Sequence, residues 1–314
     1  MTAGPLLRLR LVRIEYAATA INVYEFRHPE GEALPPFEAG AHVDLHLGNG
    51  LVRQYSLMNP PGERHRYVVA IKRDPNSRGG SVRAHEALHV GDLVDVSPPR
   101  CHFALDEQRA HSVLIAGGIG ITPIACMAQR LQAVGRHFEL HYSVKRRDEA
   151  ALLDVLPDAR LHLHVDEEQG GLLDSAALVN GAPADAAVYC CGPTPMLDAF
   201  EQAARARAGL VWRVERFTPA AEAANEGGFN VRLAASSRDV FVPAGQTILE
   251  ALRDAGLDVP SSCEQGICGT CETRVISGCP DHRDSLLSDD EKRSNKTMMI
   301  CCSGSLSGEL VLDL

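Results

Sequence analysis

Four cysteines in the last quarter of the chain have the residue type and spacing to hold a metal cluster. Cys263, Cys268 and Cys271 fall within nine residues, and Cys301 follows after 29 intervening residues. This C-x4-C-x2-C…C spacing is typical of a plant-type [2Fe–2S] cluster, in which each of two irons takes two thiolates. A zinc site usually takes its cysteines in closely spaced pairs, and only one such pair is present. The spacing therefore predicts a centre that transfers single electrons.

The fourth ligand has an alternative, because Cys301 and Cys302 are adjacent. The distance from Cys271 favours Cys301, and Cys302 is then expected to pack nearby as a thiol. His282 and Asp284 lie between the ligands. A Rieske centre needs two histidines in place of two cysteines, and four cysteines are already present, so we expect these two residues in a surface loop.

Two segments of the first third could hold a phosphate and a flat ring. Arg53 offers a forked cation, Tyr55 an aromatic face and Ser56 a short hydroxyl. Further along, Gly80 and Ser81 belong to a Gly-Gly-Ser sequence that can turn backbone N–H groups toward a phosphate. Taken singly, these segments are also compatible with an amphipathic strand and a solvated turn. Together they predict a flavin site.

Two glycine-rich turns each follow an apolar strand and open a helix, at residues 117–123 and 191–196. The backbone of such a turn can approach a pyrophosphate at the helix start, although neither matches the usual G-x-G-x-x-G pattern. Both turns are at the carboxyl ends of predicted strands, so we expect them to face one nucleotide crevice. The basic run 145–147 could meet a 2′-phosphate or could be a solvated loop.

The elements that must position these residues fall into three blocks. Residues 1–106 contain about six short strands without long helices, which predicts a small antiparallel β-barrel. Residues 107–219 alternate strands and helices, which predicts a parallel sheet covered on both faces. An Ala/Glu/Gly-rich linker at 220–228 precedes strands and one helix in 229–314. The fold class is thus multidomain, with a barrel, an α/β domain and an α+β domain.

Composition excludes some function classes. The 314 residues are 45% hydrophobic and carry a net charge of −10, which argues against a nucleic-acid partner. No apolar run approaches the ~20 residues that span a bilayer, and no signal peptide is recognised at the start. Ten cysteines without a signal peptide favour a reducing cytoplasm over a secreted disulfide framework.

In their order, the motifs RQYS, GGIGITP, CGPTPM, CEQGICGTC, PDHRD and CCS resemble the phthalate dioxygenase reductase family over nearly the whole chain. The resemblance implies an FMN-binding barrel (1–106), an NAD(P)-binding domain (107–219) and a β-grasp ferredoxin domain (229–314). The C-terminal position of the ferredoxin module favours FMN over FAD. The residues that the resemblance assigns to the flavin are Arg53, Tyr55, Ser56, Lys72, Gly80, Ser81 and, near its ring, Phe217. Those that it assigns to the nucleotide are Gly118, Thr122, Cys191, Gly192 and Pro193.

The resemblance implies a reductase that passes electrons from NADH through FMN and the [2Fe–2S] cluster to a separate Rieske-type oxygenase. That oxygenase would hydroxylate or O-demethylate aromatic rings, and the reductase is expected to be a monomer. NADPH remains open as the donor because the 145–147 run is basic. Other readings are a reductase for a cytochrome P450 or an amine-demethylating oxygenase, a redox sensor, or a plain electron carrier.

Overall fold

A computed structural model describes residues 5–314, which divide after residue 215 into two compact units. The first unit ends at Glu215 and contains two sheets, and the second begins at Arg216 and contains the cysteine loop. The two units are described in turn.

The first sheet of the first unit is antiparallel throughout. Its strands are β1 (Leu7–Ala18), β2 (Ile21–Arg27), β3 (Ala41–His46), β4 (Val52–Ser56), β5 (Tyr67–Lys72), β6 (Leu93–Val96) and β7 (Arg100–Cys101). They pair in the order β4-β3-β6-β1-β2-β5, with β7 on β3. The end strands β4 and β5 contact each other, so the sheet curls into an open barrel around Tyr24 and Tyr67. The predicted barrel strands are confirmed.

One helix, α1 (Gly80–Ala87), is attached to this barrel and was not predicted. It begins after Gly79, whose φ of +81° is in the left-handed region that glycine adopts at little cost. The Gly-Gly-Ser sequence that was expected to form a turn therefore forms the start of a helix.

The second sheet of the first unit is parallel and alternates with helices. Its elements are β8 (His111–Gly117), α2 (Ile121–Ala133), β9 (His137–Val144), β10 (Leu161–Val165), α3 (Asp166–Gln169), α4 (Ser175–Gly181), β11 (Ala187–Cys191), α5 (Thr194–Ala206) and β12 (Val211–Glu215). Residues of α2 share a core with Leu114 and Leu140, whereas α4 and α5 share a different core with Val113 and Ile115. The predicted parallel sheet with helices on both faces is confirmed.

The strand order β10-β9-β8-β11-β12 places a topological switch beside β8. From β8 the chain proceeds to β9 and β10 on one side and then returns to β11 and β12 on the other. In open parallel sheets, ligands bind at such a switch, outside the carboxyl ends of the strands. The carboxyl ends of β8 and β11 are where both glycine turns occur.

The second unit is a small mixed sheet with one packed helix. Its elements are β13 (Phe229–Leu233), β14 (Arg238–Val242), α6 (Ile248–Asp254), β15 (Glu272–Ser277), β16 (Pro280–Asp281), α7 (Asp289–Ser294), β17 (Thr297–Met299), β18 (Gly304–Ser305) and β19 (Glu309–Leu312). The main sheet has the order β14-β13-β19-β15-β17, in which β13 and β19 run parallel. A capping box of Thr247 and Glu250 starts α6, which packs through Ile248 and Leu252 on the sheet. This is the expected α+β, β-grasp arrangement.

None of the helices between residues 5 and 314 is both long enough and apolar enough to cross a membrane.

Candidate functional site

The end of β4 and the start of α1 bring an arginine against a glycine. The Arg53 guanidinium donates hydrogen bonds to the carbonyl oxygens of Val52 (2.8 Å) and Arg78 (2.9 Å). A Cβ atom on Gly80 would lie 2.4 Å from Arg53 Cγ, so glycine lets the arginine stem cross the first turn of α1. The first N–H groups of a helix lack intrahelical acceptors. Beside a forked cation, they form an arrangement suited to a phosphate.

Two further residues assigned to the flavin are engaged at the edge of this arrangement. Ser81 Oγ accepts a hydrogen bond of 3.1 Å from the backbone N–H of Asp74, so it orders the loop before α1. Lys72 Nζ lies 3.2 Å from a carboxylate oxygen of Glu149, in the connection between β9 and β10. Lys72 thus ties the barrel to the parallel sheet within the first unit.

The last residue of β4 contacts the last residue of β12. The Ser56 hydroxyl donates a hydrogen bond of 3.3 Å to Glu215 Oε2. Glu215 pairs in register with Cys191 at the end of β11. Burial raises the pKa of Glu215 to about 8, although the hydrogen bond from Ser56 lowers it. The pKa of the Cys191 thiol is raised as well, mainly by burial and to a smaller extent by the neighbouring Glu215. This sulfur therefore stays protonated at neutral pH.

Sequence analysis singled out Ser56 and Cys191 but missed Glu215. The available signal was an acid at the carboxyl end of the strand predicted next to the crevice, where a charged side chain is costly unless it has a partner. Tyr55, one residue before Ser56, is half-buried, and burial raises the pKa of its phenol.

The two glycine turns, which were expected to face one nucleotide crevice, approach each other closely. A Cβ on Gly120 would lie 2.2 Å from the carbonyl oxygen of Cys191, and a Cβ on Gly117 would lie 2.5 Å from Cδ of Pro193. A Cβ on Gly192 would lie 3.2 Å from the Gly117 backbone. The carboxyl ends of β8 and β11 are therefore in backbone contact at a place where side chains do not fit.

The remaining residues of the predicted crevice have different surroundings. Gly118 has a φ of +53° and open space where a Cβ would point. The Thr122 hydroxyl donates to the carbonyl of Ile119 at 3.1 Å, which closes the turn into α2. Pro193 precedes the first residue of α5 and has an extended backbone. Among the three glycines of this turn, Gly118 is thus the one where a Cβ would meet no neighbouring atom.

The basic run after β9 is paired with acids. The Arg147 guanidinium contacts the Glu168 carboxylate through two hydrogen bonds of 2.6 and 2.7 Å. Arg146 contacts Asp148 through two hydrogen bonds of 3.1 Å. Both cations are exposed and already have carboxylate partners, so this run carries less positive charge than its sequence suggests.

In the second unit, four buried cysteines line one loop and the start of the segment after β17. Cys263, Cys268, Cys271 and Cys301 are each 4% exposed or less. The Cys263 thiol contacts those of both Cys268 and Cys301. The backbone N–H of Gln265 donates to Cys263 Sγ at 3.3 Å, which is the kind of contact that stabilises cluster sulfurs. Four soft thiols without a carboxylate among them fit a [2Fe–2S] cluster.

The cysteine loop needs glycine for lack of space as well as for conformation. Gly266 has a φ of +68°, and a Cβ there would lie 2.4 Å from Cys302 Sγ and 3.0 Å from the Asp284 Cα atom. The Asp284 carboxylate is buried and accepts hydrogen bonds from the backbone N–H groups of Leu286 and Leu287 at 3.0 and 2.7 Å.

The expectation of a surface position for His282 and Asp284 is therefore wrong. Their side chains are 8% and 0% exposed, and His282 Nδ1 lies 3.7 Å from Asp284 Oδ2. The polar residues of this segment looked solvated in the sequence, but Asp284 satisfies backbone donors of the loop behind the cysteines. Phe217, at the beginning of the second unit, is 39% exposed.

Comparisons with known proteins agree with this architecture. Residues 231–304 match the 2Fe-2S iron-sulfur cluster binding domain family. Over 98% of this chain and 97% of its own length, phenoxybenzoate dioxygenase subunit beta of Ectopseudomonas oleovorans is 51% identical. The solved phthalate dioxygenase reductase is 41% identical over 98% of both chains, with a TM-score of 0.73, and is described as modular for electron transfer from pyridine nucleotides to [2Fe-2S].

A type IV self-sufficient cytochrome P450 monooxygenase also matches, with 38% identity and a TM-score of 0.90. That match covers 98% of this chain and 41% of the P450 chain.

The open barrel, the parallel sheet with paired glycine turns and the iron–sulfur domain define an oxidoreductase of the class that supplies electrons to oxygenases. The chain belongs to the phthalate dioxygenase reductase family. The predictions of fold class, of an oxidoreductase and of a reductase component are thereby confirmed.

Proposed function

We propose that the chain takes electrons from NADH, passes them through FMN and a [2Fe–2S] cluster, and delivers them to a separate oxygenase. The observation that carries this proposal is the hydrogen bond between Ser56 and Glu215. It brings the end of the barrel strand assigned to the flavin to the crevice end of the parallel sheet. When bound, the flavin accepts two electrons as hydride and the cluster passes electrons on singly.

FMN is held by the barrel. Arg53 and the start of α1 at Gly80 bind its phosphate, while Tyr55 and Ser56 contact its ring. The proximity of Arg53 to Gly80 supports this assignment, because it combines a forked cation with free helix N–H groups. The outer residues of this site are Lys72 and Ser81, and Phe217 is assigned to the ring side. A domain boundary near residue 106 separates this barrel from the nucleotide domain at 107–219.

NADH lies at the carboxyl ends of β8 and β11. Gly118 and Thr122 border its pyrophosphate on one turn, and Cys191, Gly192 and Pro193 border the nicotinamide side on the other. Protonated Glu215 and Ser56 form a neutral wall between this crevice and the flavin, so no fixed charge opposes the approach of the nicotinamide. NADH is preferred over NADPH because the carboxylates beside Arg146 and Arg147 would oppose a 2′-phosphate.

The cluster is held by Cys263, Cys268, Cys271 and Cys301 in the domain at 229–314, after a linker at 220–228. Contact between the Cys263 and Cys301 thiols supports Cys301 over Cys302 as the fourth ligand. No disulfide joins any of the ten cysteines, all of which lie between residues 5 and 314, and this suits a reducing cytoplasm. The protein acts as a monomer with no nucleic-acid or membrane partner.

The acceptor is a Rieske-type oxygenase that acts on aromatic rings. A haem acceptor is the second candidate, and the match to a self-sufficient P450 supports it. A redox-sensing role and a plain carrier role are further alternatives to turnover with an oxygenase.

The test is steady-state kinetics on protein loaded with flavin and iron, with cytochrome c as a surrogate acceptor. We expect NADH-dependent reduction, FMN on acid release, and kcat/KM at least tenfold higher for NADH than for NADPH. Absence of turnover with both cofactors bound would contradict the proposed reductase activity. Adding a Rieske oxygenase or a P450 in place of cytochrome c then distinguishes the two acceptors by NADH-coupled product formation.

A further inference from the structure

The parallel sheet carries a carboxylate and two imidazoles that the cofactor sites do not use. Glu139 and His141 are alternate residues of β9, so their side chains project from the same face. His162 on β10 lies directly across from His141 in the parallel register. The two imidazole rings stack with centroids 4.8 Å apart and planes 16° apart. Three groups that commonly bind metals therefore meet on one face of two neighbouring strands.

The ligand atoms of this cluster are close enough to share one ion. One atom from each of Glu139, His141 and His162 lies within 4.8 Å of the other two. Glu139 Oε2 is 3.2 Å from His141 Nε2, and its other oxygen faces His111 Nε2 at 3.6 Å. A neighbour that holds the second oxygen of a carboxylate fixes its orientation, as is usual around metal ligands.

The surroundings leave this cluster open to solvent. Helices α4 and α5 cover the same face over β8, where Val113 and Ile115 are buried. On the neighbouring strands β9 and β10, the side chain of Glu139 is 36% exposed and that of His141 is 13% exposed, while His162 is exposed. Burial lowers the pKa of His141 and outweighs Glu139, which raises it. His141 is therefore neutral at pH 7, which is the form that binds a metal.

We propose that Glu139, His141 and His162 bind one Zn²⁺ ion. Mixed imidazole and carboxylate ligands suit zinc and other late divalent transition metals, whereas Mg²⁺ and Ca²⁺ prefer oxygen alone. Three protein ligands leave one tetrahedral position for water.

The ion takes the position between His141 Nε2 and Glu139 Oε2, and the neutral imidazole of His141 keeps its single proton on its other ring nitrogen, so binding at neutral pH releases no proton from His141. The three residues lie before the carboxyl ends of β9 and β10, so the site is separate from the proposed nucleotide crevice. An ion shared by both strands also ties the edge strand β10 to the sheet.

The test is calorimetric titration of Zn²⁺ into the holoprotein with flavin and cluster oxidised. We expect one ion per chain in the parent protein and at least tenfold weaker binding in His162→Ala and Glu139→Gln. His89→Ala is the matched control, because His89 is an exposed histidine of the barrel unit outside the cluster. It should bind Zn²⁺ as the parent does.

Cu²⁺ as a second probe identifies the ligands. With both cofactors oxidised, Cu²⁺ is the paramagnetic species, and its EPR spectrum should show coupling to two nitrogens in the parent and one in His162→Ala. Each variant is first shown to keep its flavin and cluster absorbance, which excludes misfolding. Unchanged affinity in both cluster variants, the absence of one-to-one binding in the parent, or an unchanged nitrogen pattern in His162→Ala would overturn the proposal.

Discussion

Ser56 and Glu215 are 159 residues apart in sequence, yet the hydroxyl of Ser56 donates a hydrogen bond of 3.3 Å to a carboxyl oxygen of Glu215. Ser56 ends a strand of the antiparallel barrel and Glu215 ends a strand of the parallel sheet. Within the first unit, the proposed flavin and nucleotide sites therefore share a wall. Cys191 lies across from Glu215 on that wall, with a thiol that stays protonated.

Replacing Glu215 by glutamine should remove a pH dependence of hydride transfer. The pKa of Glu215 is about 8, so in the parent protein the carboxyl is protonated at pH 7 and can donate to Ser56. Above about pH 8 the ionised carboxylate can only accept a hydrogen bond, so the Ser56 hydroxyl donates to Glu215 and no longer has a hydrogen to donate to the flavin ring. We expect the rate of flavin reduction by NADH to fall about tenfold above this pH, a loss of ~1.4 kcal/mol.

Stopped-flow flavin absorbance between pH 6 and 9.5 measures that rate. The Glu215→Gln variant should show a flat profile at or below the parent's neutral rate. A parent profile without an inflection near pH 8, or an inflection that persists in the variant, would contradict the assignment.

The same carboxyl should make stability depend on pH. Its folded pKa of about 8 is above the ordinary value of 4.5, so between these pH values the folded state keeps a proton that the unfolded chain loses. Its contribution to stability is therefore complete below pH 4.5 and disappears as the pH rises to 8. In Glu215→Gln, thermal unfolding followed by flavin fluorescence should decline less between pH 5 and 8 than in the parent. Identical slopes would contradict the raised pKa.

Most of the fold could be predicted from local pattern, but α1 and Glu215 could not. Strand β11 is buried at every residue, and its apolar run indicates a central parallel strand. Helix α1 buries only Gly80 and Ala84, so its sequence lacks an apolar stripe that would distinguish it from a turn. The role of Glu215 depends on a partner in another sheet, and local pattern carries no information about such a contact.

Substituting Arg53 should release FMN. Its guanidinium lies beside the start of α1, where a phosphate would gain charge-assisted hydrogen bonds of about 1.5–3 kcal/mol. We expect Arg53→Ala to weaken FMN binding roughly 10- to 100-fold, measured by quenching of FMN fluorescence on flavin-free protein.

Arg73→Ala is the control for Arg53→Ala. Arg73 follows β5 and forms an exposed ion pair with Glu86 of α1, so its substitution should leave the affinity for FMN unchanged. Equal FMN affinity in Arg53→Ala and parent would place the phosphate elsewhere.

Two alanine substitutions in one turn should separate crowding from backbone strain. Gly120 has an ordinary helical backbone, but its Cβ would lie 2.2 Å from the Cys191 carbonyl oxygen, which cannot move without shifting β11. Gly118 has a left-handed φ of +53° and open space around it. Gly118→Ala should cost about 1–2 kcal/mol through its backbone, and Gly120→Ala more than this.

Thermal unfolding of the two variants should therefore rank Gly120→Ala below Gly118→Ala. Both variants should raise KM for NADH, Gly120→Ala through displacement of β11 and Gly118→Ala because its Cβ enters the space proposed for the pyrophosphate. The reverse order of unfolding temperatures would contradict the close approach of the turn to β11.

Serine substitutions at Cys301 and Cys302 should identify the fourth cluster ligand. The Cys263 thiol contacts those of Cys268 and Cys301. The Cys302 thiol contacts that of Cys301 and otherwise faces the Met299 carbonyl at 3.7 Å and the Ser303 hydroxyl at 3.9 Å. A hydroxyl is a harder ligand than a thiolate. Cys301→Ser should therefore lose the cluster or shift its visible absorbance and reduced EPR spectrum, whereas Cys302→Ser should keep both. Iron content, measured on the same samples, distinguishes a lost cluster from an altered one. Loss of the cluster in Cys302→Ser with retention in Cys301→Ser would assign the ligand to Cys302.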